Sequence, residues 1–286
     1  MSTTLPPVGA KTNAPFVSNS PVLLDLQQLD ALWFQVTGLL CNLECTHCLV
    51  DSSPKNKSLD FLDMETIGRG LGDASRLGVK EIYFTGGEPF LHKQMLEILE
   101  LSLSRFPTTV LTNGTIITER IATQLGEIAK ASPFSLELRV SIDHPNPETN
   151  DAVRGAGAHA KALRAVKRLE AAGLLPIITA TEYLLSERKP GSQTIYEQYL
   201  ALLKNAGVKR PRLKVIPVFH TGKLEDPSSG RFLTDADLED MDPLLLQCAS
   251  SRVITADGVV TCPILVGKPE GKLHTQDLES SLGPVP

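Results

Sequence analysis

Two hydrophobic rhythms alternate along the chain from Leu32 onward. Short runs rich in β-branched and aromatic residues are followed by longer segments whose apolar positions recur at helical spacing. The pattern predicts strands at 32–37, 81–85, 109–112, 135–142, 177–183 and 213–219. Between them it predicts helices over 63–77, 95–105, 119–129, 158–172 and 194–205. Asp63 has the chemistry of an N-cap, and Gly78, Gly173 and Gly207 stand just past helix ends, where a left-handed residue closes a helix. Gly68, Gly70 and Gly72 weaken the first helix, each by about 1 kcal/mol against alanine. Ahead of this pattern, Pro6, Pro7, Pro15 and Pro21 break any regular element. Residues 1–28 read as a flexible arm, with a strap over the body or a partner-binding tail as alternatives.

Strand and helix in alternation imply an α/β fold with a parallel sheet and right-handed crossovers. Six strands fall short of the eight of a closed barrel, which leaves a partial barrel or an open doubly wound sheet. In both, chemistry belongs at the C-terminal ends of the strands. The unusual segments end the strands there: a cysteine loop, Gly86-Gly87-Glu88-Pro89, Asn113-Gly114 and Asp143.

Composition narrows the class. The chain has 286 residues, of which 42% are hydrophobic and 21% charged, which excludes a disordered tail or a fibrous repeat. A formal net charge of −5 provides no global positive field for nucleic acid or an anionic membrane. The start of the chain lacks the basic and apolar regions of a signal peptide, and no apolar run is long enough to span a bilayer. A reducing cytoplasm is the expected compartment. There, clustered cysteines more often bind metal or do chemistry than form disulfides.

Three of the five cysteines fall together: Cys41, Cys45 and Cys48, spaced C-x3-C-x2-C with His47 inside the run. Three thiolates on one loop can converge on one centre. A structural zinc needs a fourth ligand, for which His47 is cramped. A [4Fe–4S] cluster held by three cysteines keeps one iron open.

This cysteine motif after the first strand, with Thr85-Gly86-Gly87-Glu88-Pro89 after the second, closely resembles the radical S-adenosylmethionine (radical SAM) superfamily. The resemblance covers residues 30–222 and implies a partial (β/α)6 TIM-like barrel. It also implies a [4Fe–4S] cluster on Cys41, Cys45 and Cys48, with S-adenosylmethionine chelated to the open iron. Reductive cleavage of that cofactor gives a 5′-deoxyadenosyl radical, which abstracts hydrogen from substrate. By the same matching, His47 packs near the adenine. Gly86 and Gly87 let the backbone approach the methionine moiety, Thr85 adjoins it, and Glu88 accepts from its ammonium. Asn113 lies near the cofactor, Ser141 and Asp143 reach the ribose, and Arg154 faces the carboxylate. Val215-Ile216-Pro217 border the adenine. The alternative is a catalytically inactive Fe–S or zinc binding protein on the same fold.

The rhythm stops after residue 222. The division expected is an arm over 1–28, a core over 29–222 and an extension over 223–286. In the extension, Asp257-Gly258 between two β-branched runs predicts a hairpin, which brings Cys248 and Cys262 near each other, and Asp277 opens a short helix. This piece resembles a shortened SPASM or twitch extension, a type that usually holds auxiliary Fe–S clusters. Here the later cysteines are absent. Either the pair packs without a cluster, or a second Fe–S cluster is completed by His274, Asp277, substrate or another chain. The implied partners are a peptide or small-molecule substrate and a reductant such as flavodoxin or ferredoxin. Glu182, His220 and Asp143 are polar candidates for the barrel interior.

Overall fold

The computed structural model describes residues 22–184, 194–225, 239 and 241–285. Most of the arm expected over 1–28 therefore lies outside the described residues. Its last part rests on the other end of the chain, where Leu24 pairs antiparallel with Val285.

Strand β1 (Ala31–Gln35) leads through the cysteine loop to helix α1 (Met64–Arg76). Then follow β2 (Glu81–Thr85), α2 (Met95–Leu103), β3 (Thr108–Thr112), α3 (Glu119–Ala131) and β4 (Leu136–Ser141). Two helices succeed β4: α4 (Pro147–Arg154) and α5 (Ala158–Ala171). The core closes with β5 (Ile177–Thr181), α6 (Ile195–Asn205) and β6 (Leu213–Ile216). Every strand and helix predicted over residues 32–219 is present, shifted by a few residues at its ends. Helix α4 was not predicted, because its start, His144-Pro145-Asn146-Pro147, reads as a loop. The legible signal was a helix start: Asn146 caps with its side chain on the Thr149 amide, and Pro147 takes the first turn, where its missing N–H costs nothing.

The sheet runs β6-β5-β4-β3-β2-β1-β7-β8. Here β7 (Ser251–Thr255) and β8 (Gly258–Val260) form the hairpin expected at Asp257-Gly258. Strand β7 does more than make a hairpin. It pairs parallel with β1, Trp33 opposite Val253, and so lengthens the parallel wall. The short helix expected at Asp277 is a 3-10 turn at Glu279–Ser281, with Asp277 accepting from the Ser280 amide.

Side chains alternate across each strand. On β1 and β2, Leu32, Phe34, Ile82 and Phe84 join the core under the helices, whereas Trp33 and Tyr83 pack inside the sheet's curve with Val253 and Val260. Helix α1 lies close on its strands because Gly70 has no side chain. A Cβ there would stand 2.5 Å from Ile254 and 2.8 Å from Phe34. Gly68 and Gly72 face open space, so only Gly70 has a packing reason.

Candidate active site at the strand ends

The inside of the sheet holds a cavity of about 430 Å³. All three loop cysteines line it, with His47, Thr85, Gly86, Gly87, Asn113, Ser141 and Arg154. The hydrophobic rhythm predicted strand ends, and the fold brings these side chains to one wall. Among the described residues no helix is long and apolar enough to cross a membrane.

The glycines serve a packing need that their sequence did not state. A Cβ on Gly87 would lie 2.0 Å from the Leu40 carbonyl oxygen, and one on Gly86 would lie 2.2 Å from Thr37 Oγ1. Gly86 also has φ near 159°. The end of β2 therefore carries the cysteine loop on bare backbone: the Gly87 amide donates to the Gly38 carbonyl, and the Glu88 amide to that of Leu40.

Each sulfur meets a donor. The Leu43 amide and Asn113 Nδ2 point at Cys41 Sγ, at 3.4 and 3.6 Å. The Ser52 amide points at Cys48 Sγ at 3.2 Å, and Arg154 Nη1 stands 4.0 Å from Cys45 Sγ. Burial pushes the Cys41 thiol up to about 12 and raises that of Cys45. These groups become thiolates only when a cation shares their charge. Among the described residues no three Cys, His, Asp or Glu side chains stand close enough to share one metal ion. A closed zinc site needs such a group, whereas a four-iron cluster spreads its thiolates over separate irons. Cysteines open to a cavity, each with a donor, suit the cluster.

Asn113 ties the loop to β3. Its Nδ2 also donates to Asn42, and its Oδ1 accepts from the amide and hydroxyl of Thr115. Beneath it lies Glu88, fully buried. Its carboxylate accepts from the Asn113 amide and Thr112 Oγ1, both at 2.7 Å, and from the Phe90 amide at 3.1 Å. Burial pushes this carboxyl up to about 7, against the pull of those donors. Glu88 does not line the cavity; it braces the turn that does.

Asp143 is turned inward likewise. Its Oδ2 accepts from Arg154 Nε at 2.5 Å and His47 Nε2 at 2.8 Å, and its Oδ1 from the amide and hydroxyl of Thr181. Burial alone would raise its pKa, but the Arg154 charge and the His47 bond outweigh it and hold the carboxyl well below the usual range. Arg154 is raised above its ordinary value in return. His47 stacks against Tyr183, ring centroids 5.5 Å apart, and its Nδ1 is buried without a partner among the described residues.

Other expectations separate. Ile216 and Pro217 line the cavity, while Val215 is exposed. Glu182 and His220 are exposed and are not among the lining residues. Cys248 and Cys262 also lie off the cavity, and no third Cys, His, Asp or Glu joins them among the described residues. Sequence reasoning missed Trp33, Tyr83, Arg139 and Lys214, which form the inner wall. Their signal was period-two placement on strands, which marks the inner face once the sheet is known to curve.

A family model of the radical SAM superfamily matches residues 36–189. The chain belongs to that superfamily. It is 32% identical over 135 residues to the mycofactocin maturase MftC of Mycobacterium ulcerans, a match covering 46% of this chain and 34% of that one. It is 32% identical over 136 residues to the antilisterial bacteriocin subtilosin biosynthesis protein AlbA of Bacillus subtilis, covering 47% and 29%. The chain thus matches about a third of the length of these relatives. Among solved structures, anSMEcpe with bound AdoMet and a Cp18Cys peptide shares the fold. The TM-score is 0.60 at 18% identity, over 88% of this chain and 79% of that one.

Proposed function

We propose that the chain is a radical SAM enzyme that initiates chemistry on a peptide or small-molecule substrate in the barrel. The observation carrying this reading is that Cys41, Cys45 and Cys48 share one cavity wall with the Gly86-Gly87 backbone. The cluster and S-adenosylmethionine, when bound, supply reductive cleavage to a 5′-deoxyadenosyl radical that takes a hydrogen atom from substrate. Cys41, Cys45 and Cys48 hold the cluster. Gly86, Gly87 and Thr85 offer backbone at the cavity edge for the methionine end. Asn113 and Ser141 face the cofactor from β3 and β4. Glu88 positions Asn113, and Asp143 positions His47 and Arg154 rather than reaching the ribose itself.

The likeness to a mycofactocin maturase and a bacteriocin biosynthesis protein supports a peptide first, with a small molecule second. A flavodoxin or ferredoxin in a reducing cytoplasm is the proposed reductant. Residues 29–222 act as the radical core and 223–286 as an extension, in which Cys248 and Cys262 pack without a second cluster. Anaerobic reconstitution with iron and sulfide, followed by dithionite and S-adenosylmethionine, tests the reading. Formation of 5′-deoxyadenosine is expected. A reconstituted cluster that yields none would reduce the chain to the binding protein.

A further inference from the structure

The cavity has a second chemistry below the rim. Arg139 lies two residues before Ser141 on β4, roughly 7 Å further into the barrel at about 3.3 Å per residue. It lines the cavity with Lys214, Trp33, Tyr83 and Thr179. Lys214 is directly across the ladder from Thr179, and Trp33 from Tyr83. Trp33 and Tyr83 stack at 4.2 Å with 12° between their planes, and the Arg139 guanidinium carbon stands 5.3 Å from the Tyr83 ring centre. The wall is therefore an aromatic shelf with cations beside it.

Those cations are under-neutralised. Glu137 is shared between Arg139 Nε at 2.8 Å and Arg212 at 3.1 Å. Lys214 makes no ion pair or hydrogen bond among the described residues, though Glu137 and Glu81 act on it at longer range. Burial and the Arg139 charge pull Lys214 below its ordinary value. Of the two cations that line the cavity here, Lys214 is the one left without a paired carboxylate among the described residues. Two further groups lack partners among the described residues: Trp33 Nε1 and Thr179 Oγ1 are buried with no hydrogen bond. An indole N–H can only donate, so it calls for an acceptor.

We infer that this inner wall is a substrate subsite for a carboxylate group, held by Arg139 and Lys214 over the Trp33–Tyr83 shelf. The unpaired Lys214 ammonium and the unpaired donors match a monoanion that brings acceptors only, and a planar guanidinium suits a carboxylate. The inference rests on the proposed function in one respect: the cofactor takes the rim above, at Cys41–Cys48 and Gly86–Gly87. The carboxylate belongs either to a peptide or to a free acid.

Anaerobic calorimetry on the reconstituted protein separates the two. The probes are 3-phenylpropionate and its amide, and Gly-Gly-Gly-Gly-Phe with a free or an amidated C-terminus. Trp33 is the one tryptophan of the chain, so its emission reports whether a probe reaches the shelf. The expected result is at least a tenfold preference for acid over amide in one probe pair, with a change in Trp33 emission. The pair that shows it identifies the source. Lys214→Gln should cut that preference to threefold or less, and so should Arg139→Gln if circular dichroism shows it folded. Equal binding of acid and amide in both pairs, an unmoved Trp33 signal, or an undiminished preference in Lys214→Gln would each overturn the subsite. None of these readouts needs S-adenosylmethionine cleavage. Failure here is therefore distinct from failure to form 5′-deoxyadenosine.

Discussion

Two sets of cysteines are sheltered in this chain, and burial raises the pKa of Cys41 and Cys45 in one and of Cys248 and Cys262 in the other, yet their surroundings differ in kind. Cys41, Cys45 and Cys48 open on a cavity, and the groups around them are donors aimed at sulfur. Cys248 and Cys262 flank Arg252, a fully buried cation on β7. Its guanidinium is spent on the carbonyls of Cys248, Ser251, Ser281 and Gly283, which pin the last residues of the chain to the sheet. Burial pulls Arg252 down, and the two cysteines offset this only in part. A buried cysteine thus says little by itself. What its neighbours have left unsatisfied tells a ligand site from a packing site.

The sharpest break between the two sets is iron. Cys45→Ala should lose the cluster: iron falls from about four per chain to background, and 5′-deoxyadenosine formation stops. A variant that kept both would end the assignment of the loop as the cluster site.

The next largest effect is electrostatic. At the rim a carboxylate, Asp143, neutralises Arg154 inside the protein. On β7, Arg252 is neutralised by no acid among the described residues. Removing one partner of a buried pair typically costs about 3–5 kcal/mol, because a charge is left behind. Asp143→Ala should therefore lower stability to urea by that order. It should also free His47 and Arg154 to move, which would appear as weaker S-adenosylmethionine binding. An unchanged urea midpoint would mean that the rim network is not a tight charge pair.

Glu88 adds a pH dependence at the rim. Its carboxyl is raised from 4.5 to about 7 by burial. A raised acid binds more protons folded than unfolded, so stability falls as pH rises between these values. The contribution is present below about pH 4.5 and gone above about pH 7. Urea midpoints taken at pH 5 and pH 7.5 should drop for the parent chain, and drop less for Glu88→Gln. Parallel profiles would mean that Glu88 is not the titrating group.

How much of this was legible in the sequence follows from scale. The periodicity of apolar residues carries the strands and helices, and the cysteine and Gly-Gly-Glu-Pro motifs carry the rim. Four things were not legible. Helix α4 hid behind two prolines, although its N-cap was readable. The inward turn of Glu88 and Asp143 depends on partners 24 to 38 residues away, such as Thr112 and Thr181, and no local pattern records such distances. Strand β7 was read as half of a hairpin, because its parallel pairing with β1 joins residues at opposite ends of the chain. Arg139 and Lys214 looked like ordinary charged positions on strands until the sheet's inner face was known.

Steric fit gives a smaller effect at the rim. Gly87→Ala places a Cβ against the Leu40 carbonyl, which is backbone and has no rotamer to yield. The cysteine loop must shift, at a cost of about 1–3 kcal/mol typical of overpacking. Iron should still bind, while S-adenosylmethionine affinity falls. A variant with unchanged affinity would show that the loop tolerates displacement.

The smallest effect returns to the C-terminal pair. Cys262 is buried beside Arg252 and off the cavity. Cys262→Ala deletes one heavy atom from a packed site, worth about 1 kcal/mol once the transfer and cavity contributions are combined. Urea unfolding should show that loss, and reconstituted iron should remain at about four per chain. The two measurements separate the roles. A small stability loss with constant iron makes Cys262 a packing residue, in contrast to Cys45. A drop of several irons per chain would instead make the pair ligands of a second cluster, and the contrast between the two sets of cysteines would become one of degree.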